Sequence, residues 1–166
     1  MNRKLTILMT PQDAIGHVNA AIGIAEVLRD SGHRIVFAIE KSWEGKLIKY
    51  GFEEELFTDP ERDPNNDSAK FWSELFVGDG SHLRETSHEI KLIALVVPVL
   101  IKLAKRVDPI YEKIIERIKP DVIILDNYFT IPSINKSGIP WVLTCSFNPL
   151  MFIDDERTPP NSSGIY

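Results

Sequence analysis

The stretch "KLTILMTPQDAIGHVNAAIGIAEVL", Lys4 to Leu28, decides how this chain is read. Leu5 to Thr10 is a short apolar run closed by Pro11, the pattern of a buried strand. From His17 to Arg29, apolar residues fall at Ala20, Ala21, Ile24, Val27 and Leu28, the stripe of a helix. "DSGHR" then ends the helix, with Gly32 placed to take the left-handed position after it. "RIVFAIE", Arg34 to Glu40, is a second strand rich in β-branched residues. This is the opening βαβ unit of a nucleotide-binding sheet. Its loop departs from that pattern, because it lacks G-x-G-x-x-G and sets Gly16-His17 at the mouth of the helix.

The remainder extends the same alternation. Ser42 to Tyr50 reads as a helix capped by Ser42 and closed by Gly51, and Phe52 to Phe57 as a short strand. "TDPERDPNND", Thr58 to Asp67, reads as an exposed polar loop, with "DPERD" as solvated charge. A helix is expected around Ala69 to Phe76, then a long helical region from about Arg84 to Arg106, kinked at Pro98. "VDPIYEKIIERIKPD" predicts a separate helix with Asp108 as N-cap, Pro109 at its first position and Pro120 as its stop. Val122 to Leu125 is a strand ending at Asp126, Thr130 to Ser137 a short helix, and "IPWVLTCS" the last strand. The expected fold is α/β, a Rossmann-like and mostly parallel sheet with helices on both faces. Residues 1–150 form that domain, and 151–166 an irregular tail or interdomain segment.

Composition narrows the class. The chain has 166 residues, enough for one domain with a sizeable core, and 43% are apolar. The net charge of −5 excludes a basic nucleic-acid surface. No run approaches the ~20 apolar residues of a membrane span, and the N-terminal apolar run is too short for a signal peptide. A cytoplasmic location is therefore expected, and the Asn-x-Ser triplets at Asn66, Asn135 and Asn161 are read as coincidental. The single cysteine, Cys145, excludes an internal disulfide and is expected to pack as a small apolar group. No metal-ligand cluster is visible, since His82 and His88 fall on different faces of a helix, and no cofactor is expected. His33, at the end of the first helix, reads as structural.

Two polar residues stand where ligands bind in such sheets, outside the carboxyl ends of strands. His17 follows the first strand, and Asp126 closes "VIILD". Where both strands are central, the two side chains meet. A helix N-terminus disfavours an imidazolium, so His17 is available as a neutral base. A carboxylate on its other ring nitrogen fixes the tautomer and stabilises the cation formed by proton uptake. The plainer readings are a surface histidine and an aspartate that caps the next helix. Phe71, Trp72 and Phe76, at helical spacing, read either as packing or as pocket lining.

Several stretches together resemble the N-terminal half of the family 1 UDP-glycosyltransferases, whose fold is the two-domain GT-B. They are "GHVNA", similar to the family's Gly-His-x-x-Pro with Ala20 for the proline, then "AEVLRDSGHRIVFAIE", "KPDVIILDNYF", "SGIPWVLTCSFNP" and the "PP…SG" tail. The resemblance implies transfer of a sugar, with inversion, from a UDP-sugar to a hydroxyl of a small lipophilic acceptor, a detoxifying chemistry. It implies His17 as general base and Asp126 as the residue that orients it. It implies an acceptor pocket, for which Trp72, Leu95, Phe129, Phe147 and Met151 are the candidates, and donor contacts at Gly16 and Ser146. The family's donor signature, with its Trp-x-Pro-Gln and His-Cys-Gly-x-Asn-Ser stretches, does not occur in these residues. The C-terminal donor domain is therefore expected to be absent and the isolated chain inactive. The alternative is a non-catalytic relative that binds apolar small molecules. An NAD(P)-dependent oxidoreductase is disfavoured, because the glycine fingerprint is missing.

Overall fold

The computed structural model describes residues 3–62, 67–76, 86–146 and 156–157. Five strands form one parallel sheet in the order β3-β2-β1-β4-β5. They are β1 (Thr6–Pro11), β2 (Arg34–Glu40), β3 (Glu53–Phe57), β4 (Val122–Asp126) and β5 (Trp141–Leu143). The helices are α1 (Ile15–Asp30), α2 (Ser68–Phe76), α3 (Thr86–Ile118) and α4 (Pro132–Lys136). The expected Rossmann-like order is thus observed, with helices on both faces of the sheet.

The period of two along each strand sorts the core into two layers. Ile7 and Met9 of β1, with Ile35, Phe37 and Ile39 of β2, pack beneath Val18, Ala21 and Ala25 of α1. Leu8, Val36, Ala38, Ile123 and Leu125 face the other way, against Val107, Tyr111, Ile114 and Ile115 of α3 and Ile134 of α4. A third cluster joins Trp72 of α2 to Val96 and Leu100 of α3, above the strand ends.

Five expectations need correction. Ser42 to Tyr50 is not a helix but two 3₁₀ turns, Lys41–Trp43 and Ile48–Tyr50. Gly45 between them takes φ +75°, and the Glu54 carboxylate of β3 accepts from the amides of Gly45 at 2.7 Å and Leu47 at 2.7 Å. A side chain thus supplies the acceptors that a helical turn would have offered. Next, α3 runs unbroken over 33 residues with Pro98 and Pro109 inside it. Its buried stripe of Val96, Leu100, Val107, Tyr111 and Ile114 outweighs the bonds the prolines remove. Asp108 caps a different helix, its Oδ1 accepting from the Ser133 amide of α4 at 2.7 Å.

The loop read as solvated holds buried charge. Asp59 is 2% exposed and the Arg62 side chain 5%. Cys145 is exposed rather than packed. His33 is structural as expected, its Nδ1 accepting from the Leu5 amide at 3.2 Å. Among the described residues no helix is long and apolar enough to cross a membrane.

Candidate functional site

The order of the strands makes the site. β1 is followed by β2 and β3 on one side, while β4 and β5 lie on the other. The chain changes direction between β1 and β4, and a crevice opens at their carboxyl ends. Pro11 lies opposite Asp126 in register, and the Gln12 amide donates to the Asp126 carbonyl at 2.8 Å. The loop after β1 is thereby pinned to the end of β4. It has just enough residues to start α1 at Ile15, with Ala14 as an N-cap that offers no side-chain bond.

His17 and Asp126, 109 positions apart, meet in that crevice with Nδ1 to Oδ2 at 3.1 Å. Both are buried, at 8% and 2% exposure. Ser146, beyond β5, joins them: its Oγ lies 2.9 Å from His17 Nδ1, and its amide donates to Asp126 Oδ1 at 3.3 Å. Tyr128 meets the imidazole edge-on at 5.6 Å between centroids. Burial, then the charges of Asp126 and Cys145, push the Tyr128 phenol up from its ordinary value, so it stays protonated at neutral pH. With the Nδ1 proton given to Asp126, Nε2 carries the lone pair and is the basic atom. The arrangement can accept a proton from a bound hydroxyl and hold the resulting charge beside a fixed carboxylate.

A second polar assembly lies on the same loop. The Asp13 carboxylate accepts from Trp72 Nε1 at 2.6 Å, from Ser68 Oγ at 2.6 Å and from the Arg62 guanidinium. Trp43 Nε1 donates to the Asp13 carbonyl at 3.1 Å. Ser68 Oγ also lies 3.1 Å from Glu40 Oε2, and Arg62 lies 4.5 Å over the Phe71 ring. Next to it, Asp59 accepts two bonds from Arg106, at 2.8 and 2.6 Å. Burial is the largest influence on Asp59 and pushes its carboxyl up. The Arg106 bonds, the Glu61 amide and the charges of Arg106 and Arg62 outweigh it and hold the group below the usual carboxylate range.

Of the sequence-derived acceptor residues, Trp72 and Phe129 come together in the third core cluster. Trp72 is 3% exposed and tied to Asp13, whereas Leu95 is 62% exposed while its neighbours Val96 and Leu100 face the cluster. Phe147 and Met151 lie outside the described residues. Gly16 sits in the first turn of α1, and a Cβ built there meets nothing within 4 Å. Gln12, Asp13 and Arg62 had no distinguishing signal in the sequence. A closer reading of the arginine between prolines in "DPERDP" would have found only a charge, not its burial. Among the described residues no group of three or more histidines, cysteines or acids could hold a metal ion.

No family model matches the sequence, and no curated protein matches it. Solved structures do. A glycosyltransferase of Streptomyces sp. SF2575 superposes with a TM-score of 0.62 at 22% identity, over 85% of this chain and 39% of that one. A spinosyn rhamnosyltransferase solved with thymidine diphosphate gives 0.62 at 18% identity, over 86% and 35%. A Glycyrrhiza uralensis glycosyltransferase, UGT73P12, gives 0.57 at 12% identity, over 85% and 28%. The chain thus spans about a third of the length of these solved relatives. Its five-stranded parallel domain has the fold of the N-terminal half of the family 1-type GT-B glycosyltransferases.

Proposed function

We propose that this chain is the acceptor-activating half of an inverting glycosyltransferase that uses a nucleoside-diphosphate sugar, UDP-linked in the first instance. The observation that carries the reading is the buried His17–Asp126 pair at 3.1 Å, set at the change of direction in a GT-B-type sheet. His17 Nε2 takes the proton of an acceptor hydroxyl as its oxygen attacks the anomeric carbon, and the nucleoside diphosphate leaves from the opposite face. Asp126 holds the imidazole through Nδ1 and stabilises the imidazolium, and Ser146 fixes the carboxylate from its other oxygen. Tyr128 limits the ring's rotation from the side.

The acceptor is expected to be small and lipophilic, consistent with the apolar cluster of Trp72, Val96 and Leu100 beside the crevice. On the donor side, the open space at Gly16 and the backbone N–H groups of the first turn of α1 favour an approaching phosphate. These contacts are few. The 166-residue chain alone should bind UDP-glucose no tighter than about millimolar and transfer no sugar, because so few bonds hardly offset the entropy of binding.

The test joins the chain to a donor domain and follows transfer to a phenolic acceptor. His17→Ala should abolish most turnover while leaving acceptor affinity intact. Near wild-type turnover in that variant would replace this reading with that of a non-catalytic binder of apolar molecules. Micromolar UDP-glucose binding by residues 1–166 would move the donor site into this half.

A further inference from the structure

The loop after β1 carries one residue that neither polar assembly uses. Gln12 is 4% exposed, and neither its amide nitrogen nor its amide oxygen finds a hydrogen-bond partner among the described residues. A buried primary amide with both ends unpaired costs folding free energy, so its retention calls for an explanation. The side chain lines a cavity of about 40 Å³ that runs along the carboxyl ends of the strands beneath α3. Asp13, Glu40, Asp59, Arg62, Tyr111 and Asn127 supply the rest of its polar lining, and Leu100 and Leu103 belong to its apolar one. The acceptor candidates Trp72, Leu95 and Phe129, and His17 itself, do not line it. That volume holds a water or two, or a ligand's small polar head, with the rest of the ligand against the leucines.

We propose that this cavity is a recognition subsite for a neutral ligand group presenting a hydrogen-bond donor beside an acceptor, read by the two ends of the Gln12 amide. A primary amide offers an N–H and a C=O in one plane, so its complement is another amide, a lactam or a hydroxy-carbonyl edge. Charge argues against an anion. Asp13, Glu40 and Asp59 line the cavity against Arg62 alone, with Arg106 paired to Asp59 from outside, which leaves a negative surplus. Tyr111 faces the same cavity, and its deep burial, with the Asp13 charge, keeps its hydroxyl protonated as a donor. The assignment extends the acceptor-side reading, but its test needs neither a donor nor turnover.

The probes are benzamide, acetophenone and benzoate, which share one ring and differ in the group offered. Binding to the 166-residue chain is followed by calorimetry or ligand-observed NMR. Benzamide should bind about tenfold more tightly than acetophenone, the order expected for an added buried hydrogen bond, and benzoate more weakly than either. Gln12→Leu should erase the gap between benzamide and acetophenone without lowering the melting temperature, because it removes an unpaired polar group at similar volume. Gln12→Met, which keeps the length and loses the amide, should behave alike. His17→Ala should leave benzamide affinity unchanged, so near wild-type transfer in that variant with this binding intact counts against the catalytic reading only. Equal binding of benzamide and acetophenone, or a gap that survives both Gln12 variants, would overturn the subsite and leave the cavity as a place for water.

Discussion

Asp13, on the loop after β1, and His17, in the first turn of the helix that follows, are both buried, yet they are treated in opposite ways. All three oxygens of Asp13 are engaged: indole, hydroxyl and guanidinium on its carboxylate, and a second indole on its carbonyl. His17 is held at Nδ1 by Asp126 and Ser146, and the role of base proposed for it falls to Nε2. A polar group satisfied on all sides can only be scaffold, because any change of state breaks bonds in a medium that charges heavily for it. A group fixed at one end and basic at the other is prepared to change state. Asp13 determines where the loop runs; His17 uses that position.

This contrast can be broken by substitution. In a form joined to a donor domain, His17→Ala should lower turnover by about 10²–10⁴-fold with little change in melting temperature. Asp126→Ala should also impair turnover, and the double variant should lose less than the product of the two effects, since the pair acts as a unit. Asp13→Ala should do the reverse. It takes the close carboxylate from Arg62, whose side chain is 5% exposed and keeps Glu40 only at 3.9 Å, and should cost about 3–5 kcal/mol in chemical denaturation. Equal stability losses for His17→Ala and Asp13→Ala would erase the distinction.

A smaller effect sharpens it through pH. The folded Asp59 carboxyl lies below its ordinary range, while the unfolded one does not. Its contribution is therefore fully present above the unfolded pKa and is lost as pH falls through the folded one. Denaturation midpoints should drop on acidification through and below the usual aspartate range. Asp59→Asn, costing about 1.5–3 kcal/mol at neutral pH, should flatten that part of the profile. The smallest effect lies far from both assemblies. Lys119 ends α3 with φ +50°, a conformation that favours glycine, so Lys119→Gly should stabilise by about 0.5–1 kcal/mol. A loss there would mean that the lysine side chain contributes more than its backbone strain costs.

The parts of this fold that are local in sequence were legible. Periodicity places β1, α1, β2 and β4 within a residue or two, because each buries a face with its own period. The meeting of His17 and Asp126 followed from the rule for strand ends and needed only the adjacency of β1 and β4. What stayed hidden depends on distant partners. Nothing in "KSWEGKLIKY" says that the Glu54 carboxylate will hold its amides, and so a helix was read there. Pro109 after Asp108 is a start signal by local rules, but tertiary packing along α3 overrides it and reassigns the aspartate to α4. Arg62 looks like solvent-exposed charge until a pocket of Asp13, Ser68 and aromatic rings is built around it.

The pairing of β1 with β4 has a consequence for how the molecule comes into being. Ile7 finds Ile35 of β2 after a short excursion of chain, but it meets Val122 of β4 only after one about four times longer. Each doubling of such a loop adds about 0.6 kcal/mol of closure entropy, so the second pairing starts roughly 1.2 kcal/mol behind the first. During synthesis β1, α1 and β2 can associate while Asp126 has yet to be made, and for that interval the edge of β1 destined for β4 is open. His17 is therefore born without its carboxylate. The His17–Asp126 pair is a late product of folding, and its formation reports that the sheet has closed around its central strand.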